Sequence, residues 1–232
     1  MIIETRNVSI NNRQLDLVIN RHERAKNFKI RFDSSGSKIL LTIPKRGSVK
    51  TALDFYERSQ EWISNHLPVI HEVTSFSHGS DLPFLDNIYK IQHSKLLTRF
   101  RLVDNILHIT GAQERISSIV IEWLKIQAHQ HLTMVSHKMA EQLGVTIKDV
   151  KIKELKTRWG SCSSRKTLNY SWRVIMAPAH VAEYLCAHEV SHLIEMNHSH
   201  RFWSLVRSIC PHYKESRRWL RTEGKKLFAY EG

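Results

Sequence analysis

The sequence predicts an α+β fold, with a mainly β N-terminal region followed by a region that mixes helices and strands. Through about residue 110, the apolar residues form short alternating or continuous runs, which is the pattern of strands. Beyond that point they recur three and four positions apart over long stretches, which is the pattern of amphipathic helices. The change of period at Gly111 and Ala112 predicts a boundary between two domains, residues 1–111 and 112–232.

Short strands and one helix make up the predicted N-terminal domain. A helix is predicted over residues 48–66, where apolar side chains fall at helical spacing. Turns are predicted at residues 33–36 and at Asp104–Asn105, since Asp, Asn, Ser and Gly are typical turn residues. Apolar runs bounded by such residues predict strands at 14–19, 28–32, 37–44, 88–91, 100–103 and 106–109.

One of these predicted strands is basic on one face. Between Phe28 and Phe32, apolar and polar residues alternate, so Lys29 and Arg31 share the face opposite to the aromatic residues. Two interpretations stay open for this face: that it is simply solvated, or that it contacts phosphate or another polyanion.

Helices dominate the predicted C-terminal domain. The longest spans residues 113–143, where the apolar residues form one stripe, and Gly144 is placed to end it. No internal repeat is visible in the sequence. The other predicted elements are strands at 147–155 and 168–172, a turn-rich segment at 157–164, and helices that begin near residues 178, 202 and 213.

The helix predicted from Pro178 carries an H-E-x-x-H motif, which runs from His188 to His192. Residues four apart lie on one face of a helix, so these two histidines can bind one metal ion. Glu189 stands beside them, where a carboxylate can take a proton from a metal-bound water molecule. The flanking residues are apolar, so the helix is predicted to be buried, where an unpaired carboxylate would be costly. The alternative is a helix with two surface histidines and a solvated glutamate.

A third histidine, His198, follows after five intervening residues, which is the spacing found in metzincin zinc proteases. Asn197 tolerates a left-handed turn that would return His198 to the helix, and Glu195 stands where those enzymes have glycine. Three histidine nitrogens with one open position are typical of catalytic zinc. We therefore expect one zinc ion per chain at His188, His192 and His198; nickel, cobalt and manganese also bind such ligands.

Composition narrows the class of protein. Three cysteines form no paired motif, no apolar run is long enough for a membrane span, and no secretory signal is visible. We therefore expect a cytoplasmic protein with reduced thiols and no membrane partner. The net charge of +13 favours polyanions, so nonspecific binding of nucleic acid through the basic surface is one interpretation. A basic protein that is merely soluble is the other.

Motifs along nearly the whole chain resemble those of one family. They are Arg158-Trp159-Gly160-Ser161-Cys162, Asn169, the H-E-x-x-H motif with Asn197-His198-Ser199 and Phe202-Trp203, Arg24-Ala25-Lys26, Gln60-x-Trp62-Ile63, Tyr89, and Pro211-x-Tyr213 with Trp219-Leu220. Together they are similar to the YgjP-like metal-dependent hydrolase family, which is classed with the zincin-type metallopeptidases. The segment Leu85-Asp86-Asn87 departs from the family, whose members often have glycine at its middle position.

The resemblance implies a zincin-like domain in which His188, His192 and His198 bind zinc and Glu189 is the general base. It also implies an edge strand beside the metal helix that orients the substrate. The candidates for this strand are Trp159-Gly160-Ser161 and the strand of Asn169.

Substrate-binding residues are sought among the polar groups closest in sequence to this site. Arg158, Tyr170 and Arg173 are candidates to stabilise the oxyanion that forms during hydrolysis. For Arg158 and Trp159, a packed turn with a capping arginine is an equally good interpretation.

The resemblance implies more than one kind of substrate. Peptide hydrolysis is the reaction that H-E-x-x-H favours. Family members have also been described as nucleoside triphosphate pyrophosphatases acting on UTP; the basic charge suits this nucleotide, but no glycine-rich phosphate loop is present. A third hypothesis, by analogy with SprT-like proteases alone, is a protein or protease associated with nucleic acid.

Overall fold

The computed structural model describes residues 2–33, 36–67, 74–94, 99–155 and 157–230, and these contain the helices and strands of an α+β fold. The chain divides into two compact units, Met1–Ile70 and His71–Gly232, each with its own hydrophobic core. The domain boundary predicted at residues 111 and 112 lies inside the second of these units.

The first unit is a four-stranded sheet with helices packed on its apolar face. Its elements are β1 (Ile2–Ile10), β2 (Arg13–His22), β3 (Lys29–Phe32), β4 (Lys38–Pro44), α1 (Val49–Arg58) and α2 (Gln60–Asn65). The strand order is β1-β2-β4-β3, with β2 and β4 parallel and the outer pairs antiparallel. Alternate residues of β2 and β4 face the helices, because successive side chains in a strand point to opposite sides. These residues are Leu15, Leu17, Ile19, Ile39, Leu41 and Ile43.

The second unit begins with a sheet of the same topology. Its strands are β5 (Asp81–Phe84), β6 (Asn87–His93), β7 (Phe100–Val103) and β8 (Ile106–Ile109). They lie in the order β5-β6-β8-β7, with a parallel central pair and antiparallel outer pairs. The described structure thus repeats one sheet topology that the sequence does not show as a repeat, because a topology constrains the apolar pattern and not the residue identities.

The long helix α3 (Ile116–Gln142) forms the centre of the second unit, and its apolar stripe is buried. It packs against helix α4 (Ala179–Ser191). Beside these helices lies a three-stranded sheet of β9 (Asp149–Lys153), β10 (Gly160–Cys162) and β11 (Thr167–Ser171). The strand order is β10-β11-β9, so β10 is at an edge. The remaining elements are α5 (His200–Ile209), α6 (Tyr213–Thr222), and 3-10 turns at Gln113–Arg115, Trp172–Met176 and Gly224–Ala229.

Most predicted elements are present, and the differences have local causes. The helix predicted over 48–66 is two helices, since the chain breaks at Ser59, whose hydroxyl donates to the carbonyl oxygen of Phe55 at 2.7 Å. Gly144 has the positive φ of 65° expected at a helix end, and Asp104 and Asn105 form the predicted hairpin turn with φ of 50° and 60°. Strands β1 and β5 were not predicted. Part of the turn predicted at 33–36 falls outside the described residues.

The N-terminus of α4 is capped from a distant turn. Its first residues have no capping side chain of their own, and the backbone N–H of Ala179 donates to Oδ1 of Asp86 at 3.0 Å. The carboxylate both accepts this hydrogen bond and opposes the positive end of the helix dipole.

We expect Asp86→Ala to lower the free energy of unfolding by about 1 kcal/mol, because a helix N–H loses its acceptor. Asp86→Asn is the matched control: it keeps an acceptor oxygen and loses only the charge, so its loss should be smaller. Urea denaturation of the three proteins measures the difference. An alanine variant as stable as the wild type would show that the cap contributes nothing.

Candidate active site

Helix α4 holds its functional residues rigidly because it is buried on nearly every side. Pro178 precedes it with φ of −54°, a value already suited to the first turn. Its buried residues pack against α3, α5, α6 and β10. The side chains at its C-terminal end are therefore fixed by the core of the unit.

Three imidazole rings meet at this end of α4. His188 and His192 lie one turn apart, and His198 returns to them from the loop before α5. One nitrogen of each ring lies within 4.8 Å of one nitrogen of each of the others. The Nε2 atoms of His188 and His198 are 3.1 Å apart. Two nitrogens on one tetrahedral zinc ion are separated by roughly 3.3 Å, so this cluster could hold such an ion with little rearrangement.

The loop that returns His198 is stabilised by side-chain hydrogen bonds. Asn197 accepts a bond from the N–H of Ser199 at 2.9 Å and donates to Oε1 of Glu195 at 2.7 Å. Ser199 in turn caps α5, its hydroxyl accepting from the N–H of Phe202. The left-handed turn predicted at Asn197 is wrong, because Asn197 is not among the described residues with positive φ. The asparagine side chain supplies the turn instead.

The ring of Phe202 packs against all three histidines. Its ring is fully buried, and its centroid lies 4.9 Å, 4.5 Å and 4.8 Å from those of His188, His192 and His198. Trp203, the next residue, lies 5.9 Å from His198 and 6.0 Å from His188. These aromatic rings restrict the rotamers of all three histidines, which preorganises the cluster.

Two of these imidazoles, His188 and His192, are held in the neutral form that binds metals. Burial, together with the neighbouring His192, His198 and Arg217, lowers the pKa of His188 to about 3. Burial also lowers the pKa of His192. The Nδ1 atom of His192 lies 3.0 Å from the carbonyl oxygen of Glu195, so this nitrogen donates its proton there and Nε2 keeps a lone pair.

Glu189 is buried between α4 and the edge strand β10. Burial raises its pKa to about 8, and the charge of Arg158 acts in the opposite direction. A Cβ atom added at Gly160 would come within 2.5 Å of its Oε1 atom. Only glycine therefore allows the backbone of β10 to approach this carboxyl group so closely. A cation bound at the histidines would favour the ionised carboxylate.

The structure distinguishes the two candidates for the edge strand. Gly160 and Ser161 lie in β10, at the edge of its sheet, whereas Asn169 lies in the central strand β11. Asn169 donates from Nδ2 to the carbonyl oxygen of Ser161 at 3.3 Å, and this hydrogen bond links its side chain to β10. Trp159 is half-buried, with its ring 4.4 Å from that of Phe228. Arg158 is exposed.

Two other predicted substrate residues lie in the core. Tyr170 is fully buried, and its hydroxyl is 2.9 Å from that of Ser136. Arg173 is also buried; it pairs with Glu154 and donates to the carbonyl oxygen of Tyr230. The buried contacts of Tyr170 and Arg173 favour a structural role for these two residues. A role in substrate binding stays a prediction for all six candidates, which are Arg158, Trp159, Gly160, Asn169, Tyr170 and Arg173.

Sequence reasoning assigned no role to two features of this site. The first is the pair Phe202 and Trp203; because both belong to the motifs that carry the family resemblance, the sequence did point to them. Arg217 in α6 also lies close enough to influence His188 and Tyr184. Arg217 is distant along the chain from the histidines, and the flanking motif of Pro211-x-Tyr213 and Trp219-Leu220 does not include it, so one sequence left no signal for it.

A helix with H-E-x-x-H and a nearby third histidine, beside an edge strand, places the protein among the metal-dependent hydrolases of the metallopeptidase type. Within this class, the chain can be assigned to one family. The model of the YgjP-like metallopeptidase domain matches residues 26–223, and the chain belongs to this family. Among the described residues, no helix is both long and apolar enough to cross a membrane.

Two solved structures are also similar to part of the chain. One is the metallopeptidase zymogen of Pyrococcus abyssi abylysin, with 23% identity and a TM-score of 0.36, covering 40% of this chain and 95% of that one. The other is the zymogen of Methanocaldococcus jannaschii jannalysin, with 20% identity and a TM-score of 0.32, covering 38% and 93%. No curated protein compared with the chain matches it. The family assignment rests on the match to the family model.

Proposed function

We propose that this protein is a zinc-dependent peptidase in which His188, His192 and His198 hold the metal and Glu189 is the general base. The observation that carries the proposal is the convergence of three imidazoles next to a buried carboxyl group. A zinc ion there would polarise the scissile carbonyl and make a water molecule more acidic.

Glu189 would take a proton from the attacking water and later deliver it to the leaving amine. Its position against Gly160 directs the carboxyl group toward the edge of β10. An edge strand has backbone N–H and C=O groups that are free to pair with an extended peptide. Because Gly160 lies both in β10 and against Glu189, a peptide paired with β10 would have its main chain next to the general base. Arg158, exposed near Glu189, is suited to stabilise the oxyanion.

We expect Gly160→Ala to reduce peptide hydrolysis about 100-fold, since the new methyl group overlaps the carboxyl group of Glu189 and a displacement of about 1 Å has effects of this size. The three histidines of the cluster are unchanged in this variant, so zinc content should stay at the wild-type value. Kinetics and metal analysis on the same preparation separate a displaced base from a lost metal. Wild-type kcat/KM in the alanine variant would contradict the placement of Glu189.

Hydrolysis of a mixed peptide library by zinc-loaded protein, with products read by mass spectrometry, tests the proposal. New peptide termini should appear, disappear on chelation and return when zinc is added.

A second candidate, UTP pyrophosphatase activity at the same site, is favoured by the net charge of +13, by Arg217 near His188 and by Arg158 near Glu189. Release of pyrophosphate from UTP without any peptide cleavage would favour it over the peptidase.

The same charge favours nonspecific binding of nucleic acid as a further property. Binding to duplex DNA at low salt that weakens steeply as salt is added would support it, and no binding at low salt would exclude it.

A further inference from the structure

Arg217 presents a positive charge beside the histidine cluster. Its guanidinium carbon lies 4.6 Å from the ring centroid of Trp203, the residue that also contacts His188 and His198. Tyr213, one turn earlier in α6, stacks on the same Trp203 ring at 5.4 Å. The side chain of Arg217 is exposed, and it forms no ion pair or hydrogen bond with any residue that the structure describes.

This arrangement fixes the guanidinium and leaves its donors available. An arginine that lies over an aromatic ring uses its planar face, while the N–H groups at its edge stay free to bind a carboxylate through two hydrogen bonds. Lys in this position would give only a point charge.

A purely structural role does not account for Arg217. Its charge is permanent, and a positive charge near His188 opposes the binding of a cation there. A cation–π contact at an exposed position contributes little to stability. A negatively charged group that binds Arg217 from outside would remove this repulsion.

We propose that Arg217, held on the ring of Trp203, is a subsite for a carboxylate of the substrate and selects peptides with a negative charge near the scissile bond. This inference rests on the proposed peptidase function. The carboxylate is either the C-terminus of the substrate or an acidic side chain, and the two differ only in the position of the same chemical group.

Peptide binding to zinc-loaded Glu189→Gln protein tests the proposal without requiring turnover. Three matched peptides are titrated by calorimetry: a neutral peptide ending in an amide, the same peptide with a free C-terminal carboxylate, and the amidated peptide with one Gln replaced by Glu. Arg217→Gln and Arg218→Gln are introduced separately into this background. Arg218 is the matched control because it is exposed, adjacent in α6, and rotated by about 100° around the helix.

With Arg217 present, at least one acidic peptide should bind about tenfold more tightly than the neutral one. That ratio should fall to near one in Arg217→Gln, recover in part in Arg217→Lys, and be unchanged in Arg218→Gln. The acidic peptide that shows the preference identifies the source of the carboxylate. Zinc also attracts carboxylates, but equally in all variants, so only the loss of preference is attributed to Arg217.

Two results would overturn the subsite. If the ratio of acidic-peptide to neutral-peptide affinity is equal in the Arg217→Gln and Arg218→Gln proteins, Arg217 has no role in substrate selection. In that case the peptidase proposal stands as long as the neutral peptide still binds. Failure of the zinc-loaded protein to bind any of the three peptides would contradict the peptidase proposal, and the subsite with it.

Discussion

Replacing Glu189 with glutamine should reduce peptide hydrolysis by roughly 10²–10⁴-fold while the protein keeps its zinc, because this is the usual contribution of a general base. Glutamine has nearly the same shape and no group that accepts the proton of the attacking water. Glu189 is 4% exposed and burial raises its pKa to about 8, so the neutral amide fits the same surroundings. Folding should therefore be preserved.

The measurement is kcat/KM on one peptide substrate, together with zinc content by mass spectrometry. Glu183→Gln is the matched control: Glu183 lies in the same helix, is exposed, and is not part of the histidine cluster. Its activity should equal that of the wild type. Full activity in Glu189→Gln would refute the general-base role.

Replacing His188 with alanine should lower zinc affinity by on the order of 10² or more. A tightly bound structural zinc contributes about 10–16 kcal/mol over four ligands, so the loss of one ligand costs about 3 kcal/mol. His188 is also central to the cluster, with its Nε2 3.1 Å from that of His198 and its ring on Phe202. Hydrolysis should be lost together with the metal.

His200→Ala is the control for this change. His200 lies two residues beyond His198, is exposed, and is outside the cluster. A competition titration with a chromophoric zinc chelator gives both affinities. Equal zinc affinity in His188→Ala and His200→Ala would show that the metal binds elsewhere in the chain.

The histidine cluster was predictable from sequence because its geometry is largely local. His188 and His192 are related by the helical repeat, and apolar neighbours indicate that the helix is buried. The third histidine follows within one short loop, so its proximity needed only a plausible turn. The kind of turn was predicted wrongly, since Asn197 acts through its side chain and not through a left-handed backbone.

Contacts between distant segments were not predictable in this way. The approach of Gly160 to Glu189 depends on how β10 lies against α4, and the cap from Asp86 joins residues 93 positions apart. Arg217 reaches the site only because α6 packs on α4. Tyr170 and Arg173 are near the motif in sequence, yet they face the core, because sequence proximity does not fix the direction of a side chain.

The repeated sheet topology was missed for a related reason. Strands β1 and β5 are edge strands, each paired with a neighbouring strand on one side only. The nine residues of β1 are mostly exposed and lack a strong alternating pattern. Without them, neither four-stranded sheet can be recognised from its apolar residues.

Titration of metal-free protein with zinc, with the rate of peptide hydrolysis followed at each step, tests the central claim most directly. We expect no hydrolysis without metal, a rate that rises in proportion to added zinc, and a plateau near one zinc ion per chain. Hydrolysis at the full rate in the metal-free protein, or a rate that does not follow zinc occupancy, would contradict the assignment of catalysis to His188, His192, His198 and Glu189.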